Sequence, residues 1–154
     1  MSKRSKTAPP PLWPASEVRD RCLCLHAQRV ARALARRFDE ALRPFGLTSG
    51  QFSLLTALGA PQPPSIGEAA GLLAMDRTTV TAALKPLLRR GLAEMAGDAK
   101  DRRVKRARLT GTGRERLAAA TMAWREAHQR LDDDLAAAGT DPALLRRLSA
   151  DLGG

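Results

Sequence analysis

Nine basic residues and three acidic ones lie between Lys85 and Arg108, a local excess of six positive charges. The basic residues are Lys85, Arg89, Arg90, Lys100, Arg102, Arg103, Lys105, Arg106 and Arg108. Such a cluster of ammonium and guanidinium groups can neutralise the regular ladder of phosphates on a duplex. Because turn residues and a helix start lie in the same segment, we interpret it as a nucleic-acid contact and not as an ordinary solvated helix face.

The composition of the whole chain agrees with this interpretation. The 154 residues carry a net charge of +10, while 44% of them are hydrophobic, which excludes a disordered polycation. Aromatic residues make up only 3% and tyrosine is absent, so surfaces on which single-stranded bases could stack are scarce. Double-stranded DNA is therefore favoured as the partner.

Cys22, Cys24 and His26 form the other group with possible chemistry. In a helix, Cys22 and Cys24 point about 200° apart and cannot form a disulfide within one turn. Cys22 and His26 share a face, but two ligands do not complete a zinc site, and His128 is the only other histidine. We expect no metal and no cofactor. A redox-sensing role for Cys22 or Cys24 stays open beside the favoured alternative, a buried thiol at a subunit interface.

Motifs of other protein classes are missing from the sequence. It contains no G-x-S-x-G, no Walker loop and no G-x-G-x-x-G, so we expect no enzyme. Two cysteines cannot form a disulfide framework, and no apolar run approaches the ~20 residues that cross a bilayer. These absences predict a cytoplasmic protein without membrane contact.

Local signals predict the elements that position the basic cluster. Three capping boxes, Thr48 to Gln51, Ser65 to Glu68 and Thr112 to Glu115, predict helix starts. Asp76 is a good N-cap for a further helix, which ends at Gly91 and contains Pro86, where we expect a slight bend. Two short helices joined by a brief turn, the second rich in small polar residues, are typical of a helix-turn-helix.

The helix after Asp76 has two distinct faces. At 100° per residue, its apolar residues turn towards the core and a narrow polar line lies opposite. The predicted core residues are Val80, Leu84, Leu87 and Leu88, and the outward residues are Thr78, Ala82, Lys85 and Arg89. Small polar side chains of this kind can approach base edges. After Gly91, two short runs separated by residues 98–101 predict a β-hairpin with a basic tip, whose apolar alternation is poor.

The flanking segments complete the predicted fold. Residues 1–15 are basic and proline-rich and suggest a flexible arm. One long helix is predicted from Ser16 to Arg43, with an apolar seam suited to a subunit interface, and two more helices follow residue 110, the last starting at Asp141 and Pro142. The prediction is a mainly α fold with a small β-wing: a winged helix-turn-helix domain over 48–109 and a helical dimerisation region formed by 16–47 and 110–154.

The order of these segments resembles the MarR family of bacterial winged helix-turn-helix regulators. The resemblance rests on LTSGQFSLLTAL, on DRTTVTAALKPLLRRGL and on DRRVKRARLT-x-x-G, and it covers about residues 18–152. It implies a homodimer that represses genes at a pseudo-palindromic operator and is released by a small molecule, often phenolic or aromatic. Trp124 and Met122 are candidates for lining the effector pocket, although core or interface packing is favoured.

The resemblance also implies which residues contact DNA. On the recognition helix these are Asp76, Arg77, Thr78, Thr79, Thr81 and Lys85, and on the wing Lys100, Asp101, Arg102, Arg103 and Lys105. Asp101 would pair with Arg103, which enters the minor groove, where negative potential is focused. Arg102 would contact a phosphate.

Two other functions compete with this one. A non-specific architectural DNA-binding protein would explain the charge but not the small polar face of the recognition helix. A thiol-redox enzyme based on Cys22 and His26 is the second alternative.

Overall fold

The computed structural model describes residues 15–97 and 104–152 and is mainly α-helical with one small hairpin. In chain order the elements are α1 (Ala15–Arg21), α2 (Leu23–Leu42), a 3₁₀ turn (Arg43–Phe45), α3 (Ser49–Leu58), α4 (Ile66–Leu72), α5 (Arg77–Arg89), β1 (Ala93–Gly97), β2 (Lys105–Leu109), α6 (Gly111–Ala137) and α7 (Ala143–Leu152). The predicted fold class is confirmed. None of the helices within the described ranges is both long and apolar enough to span a bilayer.

The single helix predicted from Ser16 to Arg43 is wrong in its detail. The structure divides it into α1 and α2 at Cys22, and it ends at Leu42, where the 3₁₀ turn begins. Helical hydrogen bonds continue across the division, from the Cys22 amide to Val18 and from the His26 amide to Cys22. The Leu25 amide also donates to the Cys22 sulfur, at 3.4 Å, so the side chain competes locally with the backbone. Ala15, expected in the arm, already belongs to α1.

Two of the three predicted capping boxes are confirmed. Thr48 accepts a hydrogen bond from the Gln51 amide while the Gln51 side chain accepts one from the Thr48 amide, and Ser65 and Glu68 do the same for α4. Asp76 caps α5 as predicted. These contacts are local in sequence, which is why the pattern alone could predict them.

The third box, Thr112 to Glu115, is wrong. The N-cap of α6 is Thr110, whose hydroxyl accepts from the Gly113 amide and donates to the Gly91 carbonyl at 2.6 Å. The Thr110 amide also donates to the Leu92 carbonyl. Because Thr110 is fixed by the chain that leaves α5, the N-cap of α6 lies two residues before the one that the sequence suggested.

The chain divides into two compact units at Leu34, and the second holds the buried core. The largest fully buried side chains there are Leu42, Leu54, Leu55, Leu58, Val80 and Leu87. In β2, Ala107 and Leu109 are buried while Arg108 between them is exposed, so this strand alternates more clearly than expected. The hairpin therefore contributes apolar residues to the core as well as basic residues to the surface.

Ala74, in the turn between α4 and α5, has a left-handed backbone with φ of 50°. It is the one residue other than glycine with positive φ among those described. The Met75 amide donates to the Ala70 carbonyl and the Ala74 amide to that of Gly71, which closes the end of α4 in the manner usually associated with glycine. This closure sets the tight turn from which α5 starts.

Candidate nucleic-acid interface

The recognition helix α5 has the two faces that its sequence predicts. Val80 and Leu87 are fully buried and Leu84 is 3% exposed, whereas Leu88 is only half-buried. On the opposite side the structure exposes Thr78, Ala82, Lys85 and Arg89. The outward face is thus free of large side chains and ends in two cations, as a surface that enters a DNA groove requires.

The threonines on α5 differ in what their hydroxyl groups do. Thr79 donates to the Asp76 carboxylate at 2.6 Å, and Thr81 donates to the Arg77 carbonyl at 2.7 Å. The Thr78 hydroxyl makes no hydrogen bond to any described residue. Thr78 is therefore the threonine of this helix whose hydroxyl can donate to DNA without giving up an intrahelical bond.

Asp76 is held by its capping role. Its carboxylate accepts from the Thr79 hydroxyl and, at 2.8 Å, from the Thr79 amide. The hydrogen bond from the Thr79 hydroxyl lowers the pKa of Asp76 below its ordinary value, and the bond from the Thr79 amide adds a smaller effect in the same direction. The ionised carboxylate is thus part of the structure that starts α5, whatever it contacts on DNA.

Arg77, the first residue of α5, is exposed and directed towards α4. A Cβ built on Gly67 would lie 3.0 Å from the Arg77 Nη2 atom and 3.3 Å from both Cζ and Nε. The Nε, Cζ and Nη2 atoms of the Arg77 guanidinium therefore occupy the space that a side chain at Gly67 would need. No sequence pattern indicates this contact, because it depends on how α4 and α5 pack.

The base of the wing is fixed to the start of α4 by Arg106, a residue that sequence reasoning counted only as a charge. Its Nη1 atom donates to the Pro63 carbonyl at 2.8 Å and to the Glu68 Oε2 atom at 3.1 Å. Glu68 Oε2 also accepts from the Ser65 amide, and Ser65 and Arg106 form an isolated β-bridge. The bonds to Ser65, followed by the charge of Arg106, lower the pKa of Glu68.

The basic residues of the wing differ from one another in their exposure and in their partners. Lys105 is exposed at the start of β2, where it pairs with Gly97 of β1. Arg108 forms an ion pair with Glu94 across the hairpin at 2.7 Å, so its charge is partly compensated. Lys100, Asp101, Arg102 and Arg103 lie outside the described residues, and their predicted contacts stay predictions.

The remaining candidates are Trp124, Met122 and the two cysteines. Trp124 stacks on Phe52 with ring centroids 5.8 Å apart and packs against His128, whose ring also contacts Phe38. Met122 is 58% exposed and takes no part in this cluster. Cys22 is half-buried and Cys24 is exposed. Over the described part of the chain, no three Cys, His, Asp or Glu side chains converge as a metal site would need.

An open groove of about 900 Å³ lies along the end of α2 and the segment that follows it. It is lined by Arg36, Arg37, Asp39, Glu40, Arg43, Gly46, Leu47 and Thr48. Arg37 is engaged with Asp134 on α6, and Asp39 accepts from the Ser49 amide. Arg36 and Arg43 remain exposed in this groove.

Comparison with known proteins agrees with the geometry of α5 and the hairpin. A family model described as a winged helix DNA-binding domain matches residues 47–113. A comparison with curated proteins gives no match.

Solved structures extend the similarity to nearly the whole chain. The chain is 37% identical to the M. tuberculosis transcriptional regulator MosR in complex with DNA, over 86% of this chain and 93% of that one, with a TM-score of 0.72. The transcriptional repressor CouR, bound to a 23-mer DNA duplex, is 29% identical over 90% of this chain and 96% of its own, with a TM-score of 0.74. E. coli MarR in its apo form shares the fold at 22% identity, over 84% and 93% of the two chains, with a TM-score of 0.64. These neighbours are transcription regulators and not enzymes. The chain therefore belongs to the MarR family of winged helix-turn-helix, DNA-binding transcriptional regulators.

Proposed function

We propose that the protein is a homodimeric repressor that recognises a pseudo-palindromic operator in double-stranded DNA. The observation that carries this proposal is the exposed, small and polar face of α5, with Thr78 and Lys85 on it and Val80, Leu84 and Leu87 buried behind it. Such a helix fits the major groove, and the basic hairpin beside it is suited to the adjacent backbone and minor groove.

The contacts proposed for DNA fall into two classes. Thr78 and Lys85 would contact base edges, whereas Arg77, Lys105 and Arg102 would contact phosphates. Arg103 would enter the minor groove, supported by a pairing with Asp101. Thr79, Thr81, Asp76 and Lys100 complete the proposed interface.

Exposed apolar residues on two helices support a homodimer. On α2, Leu23 is 83% exposed and Val30 is 44% exposed. On α7, Leu144, Leu145 and Leu148 are each 46% exposed in the single chain. Packing these apolar residues against a second copy of the chain removes apolar area from water. A two-fold dimer also presents two copies of α5 to two half-sites that are about one helical turn apart.

We propose that release from DNA follows a small-molecule or oxidant signal. The groove at the end of α2 is large enough for a small ligand, and the cations Arg36 and Arg43 suit a phenolate or an aromatic carboxylate. For an oxidant, the accessible thiols of Cys22 and Cys24 are the candidate targets. Weaker operator binding after addition of either signal, lost in Arg43→Ala or in Cys22→Ser, would separate the two routes.

The test of the proposed function begins with a random pool of duplexes, from which the purified protein selects its operator. Fluorescence anisotropy at physiological salt then compares the selected duplex with a scrambled one of the same composition. We expect specific binding to be at least ~10³ times tighter than non-specific binding. Equal affinities for the two duplexes would instead support the architectural, non-specific alternative.

A further inference from the structure

Gly67, the second residue of α4, occupies a position where the backbone does not require glycine. The described glycines with positive φ are Gly46, Gly91 and Gly139, and Gly67 is not among them. It lies inside a regular helix, where alanine has the higher intrinsic propensity. The reason for glycine here must therefore lie in what approaches it.

The atoms that approach Gly67 belong to the guanidinium of Arg77. The three nearest to a Cβ built at this position are Arg77 Nη2, Nε and Cζ, at 3.0 to 3.3 Å, closer than a normal van der Waals contact. Gly71, one turn later on the same helix, has nothing within 4 Å of its Cβ position. The absence of a side chain at Gly67 thus provides a shallow seat for the Arg77 guanidinium.

The seat at Gly67 restricts the side chain of Arg77, which would otherwise be free to move. Arg77 is exposed, and an arginine on a flexible stem loses rotamer entropy when it binds a phosphate. A guanidinium that already packs against α4 at Gly67 loses less of that entropy. Its intrinsically planar set of donors is then restricted to fewer orientations, which suits the bidentate geometry of a phosphate contact.

We propose that Gly67 is a positioning residue for DNA binding, because its missing side chain leaves the space in which the Arg77 guanidinium is oriented towards a DNA phosphate. This inference rests on the proposed function, in which Arg77 contacts DNA. A methyl group at position 67 would displace the far end of a flexible side chain and not the backbone, so the fold should tolerate it.

The experiment measures operator affinity for the full chain and four variants: Gly67→Ala, Gly71→Ala, Arg77→Ala and the double variant Gly67→Ala with Arg77→Ala. We expect Arg77→Ala to weaken binding about tenfold, the scale for loss of a charged hydrogen bond. Gly67→Ala should weaken it about fivefold, with a melting temperature equal to or above that of the unmodified chain. Gly71→Ala, the matched control, should bind normally, and the double variant should bind like Arg77→Ala alone.

The salt dependence of the dissociation constant adds a measurement that a structural role would not change. Loss of one phosphate contact lowers the slope of log Kd against log salt by about one for each protomer, and we expect the full decrease for Arg77→Ala and a smaller one for Gly67→Ala, which displaces the guanidinium but keeps its charge. If Gly67→Ala lowers the melting temperature through the clash, the double variant should restore it.

The possible failures are distinguishable. If the unmodified chain does not prefer its selected duplex, the proposed function is wrong. If it does, and Arg77→Ala binds normally, the role of Arg77 and the role of Gly67 are both overturned while the function stands. If Arg77→Ala weakens binding but Gly67→Ala does not, or if Gly67→Ala weakens the Arg77→Ala background further, only the positioning role of Gly67 is overturned.

Discussion

The backbone of Gly113 lies directly against the carbonyl oxygen of Leu92, so that a Cβ at Gly113 would overlap this oxygen. Gly113 is buried in the first turn of α6, and Leu92 connects α5 to the wing. The same Leu92 carbonyl accepts from the Thr110 amide. This close approach fixes α6 to the chain segment that separates the recognition helix from the hairpin.

Gly113→Ala should therefore destabilise the protein by about 3 kcal/mol or more, because the obstructing atoms are backbone and cannot rotate away. Urea unfolding followed by circular dichroism measures the loss. Gly111→Ala is the matched control, since a Cβ at Gly111 meets nothing within 4 Å. A Gly113→Ala protein as stable as this control would contradict the observed packing.

The hydroxyl group of Thr78 should matter more for DNA binding than that of Thr81. Valine keeps the shape of threonine but cannot donate, and the Thr81 hydroxyl is already bonded to the Arg77 carbonyl. We expect Thr78→Val to weaken operator binding about fivefold and to change the preferred bases, and Thr81→Val to have little effect. Affinity selection with each variant would show the change, and equal effects of both substitutions would mean that the reading face is misassigned.

On the wing, Arg103→Ala should weaken binding to the operator about tenfold or more without affecting folding or dimerisation. Arg102→Ala should instead weaken all duplexes about equally and flatten the salt dependence. The control for a general loss of positive charge is Arg125→Ala, at an exposed position of α6. Unchanged affinity of Arg103→Ala within about twofold at physiological salt would refute the wing assignment.

Asp76 should make the stability of the protein sensitive to acid. Its pKa is lowered from an ordinary value of 3.8, so its contribution is complete well above that pH and disappears as pH falls through the lowered pKa. Asp76→Asn retains a good N-cap but does not titrate. Unfolding free energies between pH 7 and pH 2 should decrease more for the unmodified chain than for Asp76→Asn, and parallel curves would argue against an ionised cap.

Folding and dimerisation should be inseparable if α7 and the start of α2 are buried between two copies. The melting temperature should then rise with protein concentration, and deletion of residues 140–154 should give aggregated or unfolded chains. A milder variant is Leu148→Arg, which places a charge on the exposed apolar face of α7, with Ser149→Arg as its control. A folded, monomeric truncation that still binds a full operator would exclude the dimer.

Sequence alone predicted the parts of the fold that are governed by neighbouring residues. The caps at Thr48, Ser65 and Asp76 and the buried face at Val80 follow from spacings of three or four residues. The start of α6 could not be predicted in this way, because Thr110 is bonded to Gly91 and Leu92, 18 or more residues earlier.

The candidate site shows the same division between local and distant contacts. The outward face of α5 is predictable from its period, but the period does not show that the Thr79 and Thr81 hydroxyl groups are already hydrogen-bonded within the helix start. The seat of Arg77 on Gly67 and the anchoring of Arg106 to Pro63 depend on packing between separate elements. Charge counting could only include Arg106 in the basic cluster, without distinguishing this residue, which holds the wing, from the arginines that are exposed.

The anchoring of Arg106 has a mechanical consequence. Because this one guanidinium joins β2 to both Pro63 and Glu68, a tilt of the hairpin relative to α4 would have to break these bonds. In the proposed dimer, a signal would then alter the distance between the two DNA-reading units more readily than the shape of either unit. Regulation would then depend on the separation of the two DNA-reading units. That separation decides whether both recognition helices can occupy successive major grooves at once.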